Sequence, residues 1–224
     1  MSEGIMGRYE RTREGVVGPR EVTFTNGLKM VGRINGEEPS VTLQRGNNIL
    51  LDLKSFAPDG TVLKFDPKGK WEARPGTSSK PPVLTMGRFK GAGAILDFLH
   101  ECSHLQDKAS VDIASTATRE YAQFYIGKDA ADKTAERFQS LRRRHIATVG
   151  AERGAWALAL KNARKLEQQY GINIFKQMGG VKGVLRHVNF CVENSESITM
   201  TELEYLGYEV YSRKQLVELL ARLS

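Results

Sequence analysis

The sequence predicts an α+β protein in which a small, antiparallel-rich β-sheet precedes a helical region. Short alternating segments, separated by Gly, Pro, Asn and Asp, run from Val22 to about Met86. Helical periodicity takes over after Gly91. Strands gathered before helices, rather than alternating with them, are the pattern of α+β folds. No internal repeat and no low-complexity tract interrupts this order.

The first 20 residues are polar and glycine-containing, and are expected to be loose. Residues 21–224 are expected to form a single domain: a β-rich part at 21–86, a helical part at 87–170 and a C-terminal extension at 171–224. Val22 to Val31 reads as a hairpin around Asn26-Gly27, because that pair supplies the positive φ angles of a type I′ turn. Further strands are expected at Ser40 to Gln44, Asn48 to Leu53, Thr61 to Phe65 and Val83 to Met86. Helices are expected near 91–108, 111–127, 129–147 and 151–169. Gly127 and Gly171 stand at C-cap positions, and Asp129 could N-cap the third helix. A last helix begins after Ser212 and carries an apolar stripe of Leu216, Leu219, Leu220 and Leu223.

Composition narrows the class. With 224 residues, 40% hydrophobic and 26% charged, the chain can bury a core without covalent staples. No apolar run reaches the ~20 residues that span a bilayer. The segment from Met1 to Glu14 lacks the apolar core of a secretory signal, so a cytoplasmic location is expected. Two cysteines, Cys102 and Cys191, do not make a disulfide framework. The net charge of +7 favours an acidic partner, nucleic acid included, but only weakly. Arg142-Arg143-Arg144 reads first as a solvated helix face.

His100-Glu101-Cys102-Ser103-His104 carries the chemistry. It is an H-E-x-x-H motif on a predicted helix, and residues four apart on a helix project from one face. Both imidazoles can therefore reach one zinc ion, and Glu101 lies beside it as a general base for a bound water. Cys102 leaves the face of the two histidines and reads as a small packed residue.

A catalytic zinc usually takes three protein ligands. A third histidine at position 110, after Gly at 107, is ruled out because Asp107 and Ser110 stand there. Three candidates remain: Glu152, Glu120 and His145, of which His145 follows three arginines and is expected to face solvent. Glu152 heads the stripe Glu152, Ala155, Trp156, Ala159, Ala163 and Leu166, which should face the core. A carboxylate at the head of such a stripe needs a compensating cation. Glu120 shares a face with Ile113, Ala117 and Phe124, so it too could point inward. For either glutamate the plain alternative is an ion pair with one of the arginines.

The H-E-x-x-H helix, preceded by a small sheet and followed by a helix bearing Glu152-x-x-Ala155-Trp156, resembles the gluzincin class of zinc metallopeptidases. More narrowly it is similar to compact members that include the ImmA/IrrE-like proteins. The resemblance covers residues 83–166. It implies a zinc-dependent peptidase acting on peptide or protein substrates, with His100, His104 and Glu152 as zinc ligands and Glu101 as general base. The chain departs from the smallest members in the 48 residues from His104 to Glu152, and from thermolysin-like members in having Trp156 where they carry an aspartate.

A peptidase of this kind needs a second electrophile for the developing oxyanion. Tyr121, Tyr125, His145 and His187 are candidates, and Asp97 or Asp107 could orient an imidazole. Two other classes compete with the enzyme: a DNA-associated or regulatory protein holding zinc, and a non-catalytic interaction protein in which the motif is accidental.

Overall fold

The structure is a computed structural model and describes residues 10–12, 15–17, 20–35, 38–66, 68–124 and 134–223. It has the expected order, an antiparallel sheet and then helices. The chain forms two compact units, Met1–Gln106 with Ala155–His187, and Asp107–Gly154 with Val188–Ser224. The C-terminal part from residue 171 is thus divided, with 171–187 in the first unit and 188–224 in the second.

The first unit opens with a two-strand ribbon, β1 (Glu10–Thr12) and β2 (Gly15–Val17), inside the stretch expected to be loose. β3 (Glu21–Thr23), β4 (Leu28–Asn35), β5 (Glu38–Arg45) and β6 (Asn48–Asp52) form an antiparallel meander in that order. The Asn-Gly hairpin is present, but its loop has three residues rather than two. Phe24 donates its N–H to the Leu28 carbonyl, and Val22 faces Met30. Only Gly27 takes a positive φ, of 78°, so the turn is not type I′. The register follows burial: Val22, Phe24, Leu28 and Met30 all enter the core. A one-residue slip would turn one strand's apolar set outward.

After a 3-10 turn at Leu53–Phe56 comes a second, mixed sheet. In it β7 (Val62–Phe65) runs parallel to β9 (Val83–Met86), and β8 (Glu72–Arg74) pairs antiparallel on the other side of β9. Helix α1 (Gly93–Gln106) packs on β8 and β9. Trp71 stacks on Phe89 at 5.7 Å and meets Phe98 of α1 edge-on at 6.5 Å, which ties the helix to the sheet.

The second unit contains α2 (Lys108–Ala122), the first part of α3 (Ala135–Tyr170), most of α5 (Gly180–Tyr205) and α6 (Arg213–Leu223). Its core gathers Tyr121, Phe138, Leu141, Leu203, Leu216 and Leu220. Arg137 is fully buried there, donating to the Tyr121 hydroxyl, which in turn donates to Glu202. Ser212 accepts from the Gln215 N–H at the start of α6, as an N-cap should. The short helix α4 (Ile174–Gln177) follows the left-handed Gly171 cap in the first unit. Gly127 and Asp129 lie outside the described residues.

Where two helices were expected over 129–169, α3 is one helix of 36 residues. The reason is a stripe that keeps phase through Gly150. Phe138, Leu141, His145 and Val149 are buried, and so are Trp156, Ala159, Ala163 and Leu166. Each step is three or four residues, the period of one helix face. A glycine in the middle costs only about 1 kcal/mol relative to alanine. Glu152 and Arg153 are the two positions between Val149 and Trp156 that keep this spacing; Glu152 is half-buried and Arg153 is exposed. Among the described residues no helix is long and apolar enough to cross a membrane.

Candidate metal centre

Helix α1 starts after Gly91, whose carbonyl accepts the Ala94 N–H. Its inner face (Ala94, Ile95, Phe98, Leu99, Cys102, Leu105) is buried. Asp97, Glu101 and His104, spaced four and three apart, are half-buried along the margin. His100 is 7% exposed and lies between the two faces. The motif therefore straddles the edge of a packed helix, where side chains are held but not sealed.

The two imidazoles converge. Nε2 of His100 and Nε2 of His104 stand 3.1 Å apart, with the rings at 78°. Two nitrogens bound to one tetrahedral ion at ~2.0–2.1 Å each would stand about 3.3 Å apart, so the observed spacing fits a shared ion. One ligand-capable atom from each of His100, His104 and Glu152 lies within 4.8 Å of the others, so Glu152 could be a third donor. These three are the only such metal-capable group among the described residues. Two imidazoles and a carboxylate suit a divalent transition ion, and leave a fourth tetrahedral position open.

Trp156, one turn after Glu152, lies face to face with His100 at 4.1 Å and 18°. His187 of α5 meets the same indole edge-on at 5.6 Å. Its Nε2 is 2.8 Å from Asp97 Oδ1, and this hydrogen bond holds the imidazole pKa above the ordinary histidine value against the opposing effect of burial. Asp97 thus orients an imidazole, but that of His187 rather than one of the motif histidines. Ninety residues separate them, and no local pattern announces the pairing.

Other candidates fall elsewhere. Glu120 is exposed, with its carboxylate 3.9 Å from Arg143. His145, expected near solvent, is buried and 3.3 Å from the Thr199 hydroxyl. Burial, then Arg153 and Arg144, hold its pKa below the ordinary value. Tyr121 belongs to the core of the second unit, and Tyr125 lies outside the described residues. Asp107 caps α2 by accepting the Ser110 N–H. Cys102 is buried, and burial followed by the charge of Glu101 pushes its thiol pKa far up, so it is a packed thiol. Cys191 is also free. The arginine triplet splits: Arg142 and Arg143 are exposed, while Arg144 turns in over the Tyr121 ring.

Comparison with protein-family models, with curated proteins and with solved structures finds no match to this chain.

Proposed function

We propose that this chain is a zinc-dependent peptidase of gluzincin type, similar to the ImmA/IrrE-like proteins, in which His100, His104 and Glu152 hold the metal and Glu101 is the general base. The observation that carries this reading is the convergence of those three side chains from α1 and α3. The donor set supports zinc, since two imidazoles with one carboxylate is a known catalytic ligand set for that ion.

A zinc ion bound there would polarise a substrate carbonyl and lower the pKa of water toward neutrality. Glu101 stands one helical turn before His104, a spacing that puts the two side chains on neighbouring parts of the helix surface, and it is half-buried, so it is not sealed from solvent. It takes one proton from the attacking water and gives it to the leaving amine. Water adds to the carbonyl carbon, the C–N bond breaks, the second water proton also passes to the amine, and a carboxylate and an ammonium group leave. Glu152, Trp156 and His100 shape one wall of the centre, and the indole keeps water from that side of the imidazole. Proteins and peptides are the expected substrates.

The test is Glu101→Gln. The amide keeps the shape of the side chain but accepts no proton. The expected outcome is full metal content with peptidase activity reduced at least about a hundredfold, the usual contribution of a general base. Unchanged activity would exclude Glu101 as the base. No cleavage by the metal-loaded wild type, on protein and peptide libraries alike, would leave a metal-binding protein and no enzyme.

A further inference from the structure

Four side chains of the first unit form a continuous chain of contacts: Asp97, His187, Trp156 and His100. Asp97 Oδ1 is 2.8 Å from His187 Nε2, the His187 ring stands at 89° to the indole, and the indole lies at 18° to the His100 ring. A Cβ at Gly93, one turn before Asp97 on α1, would meet the His187 ring at 3.4 Å, an ordinary van der Waals contact, so the arrangement does not depend on that glycine.

Simple space-filling explains this chain poorly. The Trp156 indole N–H is buried and has no hydrogen-bond partner among the described residues. Such a group costs about 1–3 kcal/mol, which a phenyl ring or a leucine would avoid. The half-buried His187–Asp97 pair also gives up hydration to reach an aromatic face. What the indole offers beyond a phenyl ring is width, in one ring system that contacts both imidazoles, at 18° to His100 and at 89° to His187. Metal-binding imidazoles need their planes fixed, because a rotated ring aims its lone pair away from the ion.

We propose that Asp97, His187 and Trp156 are positioning residues that lock the plane of His100 and so set the metal affinity of the centre. This inference rests on the metal centre described above. It adds a support built from a stacked indole and a braced second imidazole, and it assigns a purpose to a histidine that holds no metal. Partners of ligating histidines typically change metal affinity ten- to a hundredfold when removed, and effects of about that size are expected here.

The experiment titrates Zn2+ alone into the full-length protein against a chromophoric chelator. Wild type is compared with Trp156→Phe, Trp156→Leu, His187→Ala and Asp97→Asn. Unfolding of each metal-free variant is measured in parallel, so that lost stability is not mistaken for lost affinity. Positioning predicts that Phe, which keeps an aromatic face for His100 but not the width that reaches His187, binds zinc about threefold to tenfold more weakly than wild type. Leu, of comparable bulk but without that face, and His187→Ala should bind about ten- to a hundredfold more weakly. Asp97→Asn, which keeps the shape and removes the charge, should fall between, and it carries the test if His187→Ala does not fold. Equal zinc affinity in wild type, Trp156→Leu and Asp97→Asn would overturn the proposal while leaving the metal centre standing. Absence of zinc binding by wild type would overturn both.

Discussion

Glu152→Gln tests the proposed third ligand apart from the rest of the fold. The side chain is half-buried on a helix whose neighbouring stripe is closed, and glutamine fills the same volume. Unfolding of the metal-free variant, measured beside the wild type, gives the baseline that the loss of the charge sets on its own. The shift on adding zinc is read against it. With free zinc at about a hundredfold excess over the wild-type dissociation constant, binding stabilises the folded state by ~2.7 kcal/mol. A chain of this size gains about 2–4 °C per kcal/mol, so the wild type should rise by roughly 5–11 °C. If loss of the carboxylate weakens binding about a hundredfold, the remaining stabilisation is RT ln 2, or ~0.4 kcal/mol, and the rise shrinks to about 1–2 °C. Differential scanning calorimetry with and without zinc reads all four numbers. An undiminished shift in Glu152→Gln would refute the assignment, because the ion would then be held without that carboxylate.

Other consequences concern pH and packing. Its hydrogen bond to Asp97 holds His187 above the ordinary histidine pKa, so the folded protein binds this proton more tightly than the unfolded chain does. The stability it adds is complete below about pH 6.5 and is lost as pH rises through the raised value, with a slope of at most ~1.4 kcal/mol per pH unit. Denaturant unfolding across that window should show the decline in wild type and a flatter profile in Asp97→Asn; identical profiles would remove the pair from the ledger of pH effects. His145 acts in the opposite sense, since burial first and two arginines next hold its pKa low. Its contribution is present above about pH 6.5 and lost on acidification, so His145→Gln should resist mild acid better than wild type. Ala159 is fully buried on the inner stripe of α3, and Ala159→Leu should cost about 1–3 kcal/mol by overpacking, measured as a lower unfolding midpoint. A midpoint equal to wild type would mean that the alanine stripe is not closely packed.

How much was legible in the sequence depended on the range of the determining contact. The two histidines are four residues apart, and helix period alone brings their rings together. Glu152 was legible because its neighbours Ala155, Trp156, Ala159 and Ala163 repeat on one face, and that face is buried. The same stripe, read back to Phe138, also shows why Gly150 does not end the helix. The hairpin at Asn26-Gly27 was visible as a turn, but its loop length was decided by which cross-strand pairing buries Phe24 with Leu28, and a turn dipeptide does not carry that information. β8 was missed because three residues of Glu-Ala-Arg have no strand pattern of their own; they pair because β9 offers an open edge. The pairing of Asp97 with His187 joins α1 to α5 and depends wholly on how the first unit packs. Glu120 and His145 show the converse: local pattern allowed one inward and the other outward, and an ion pair and a buried hydroxyl reversed both.

The most direct measurement is elemental analysis of purified, metal-replete protein beside the variant in which both His100 and His104 are alanine. The account predicts about one zinc per chain in the wild type, removed by a chelator and restored on addition, and none in the double variant. A wild type that holds no ion after loading, or a double variant that keeps it, would contradict the claim that these two imidazoles and Glu152 form one metal centre.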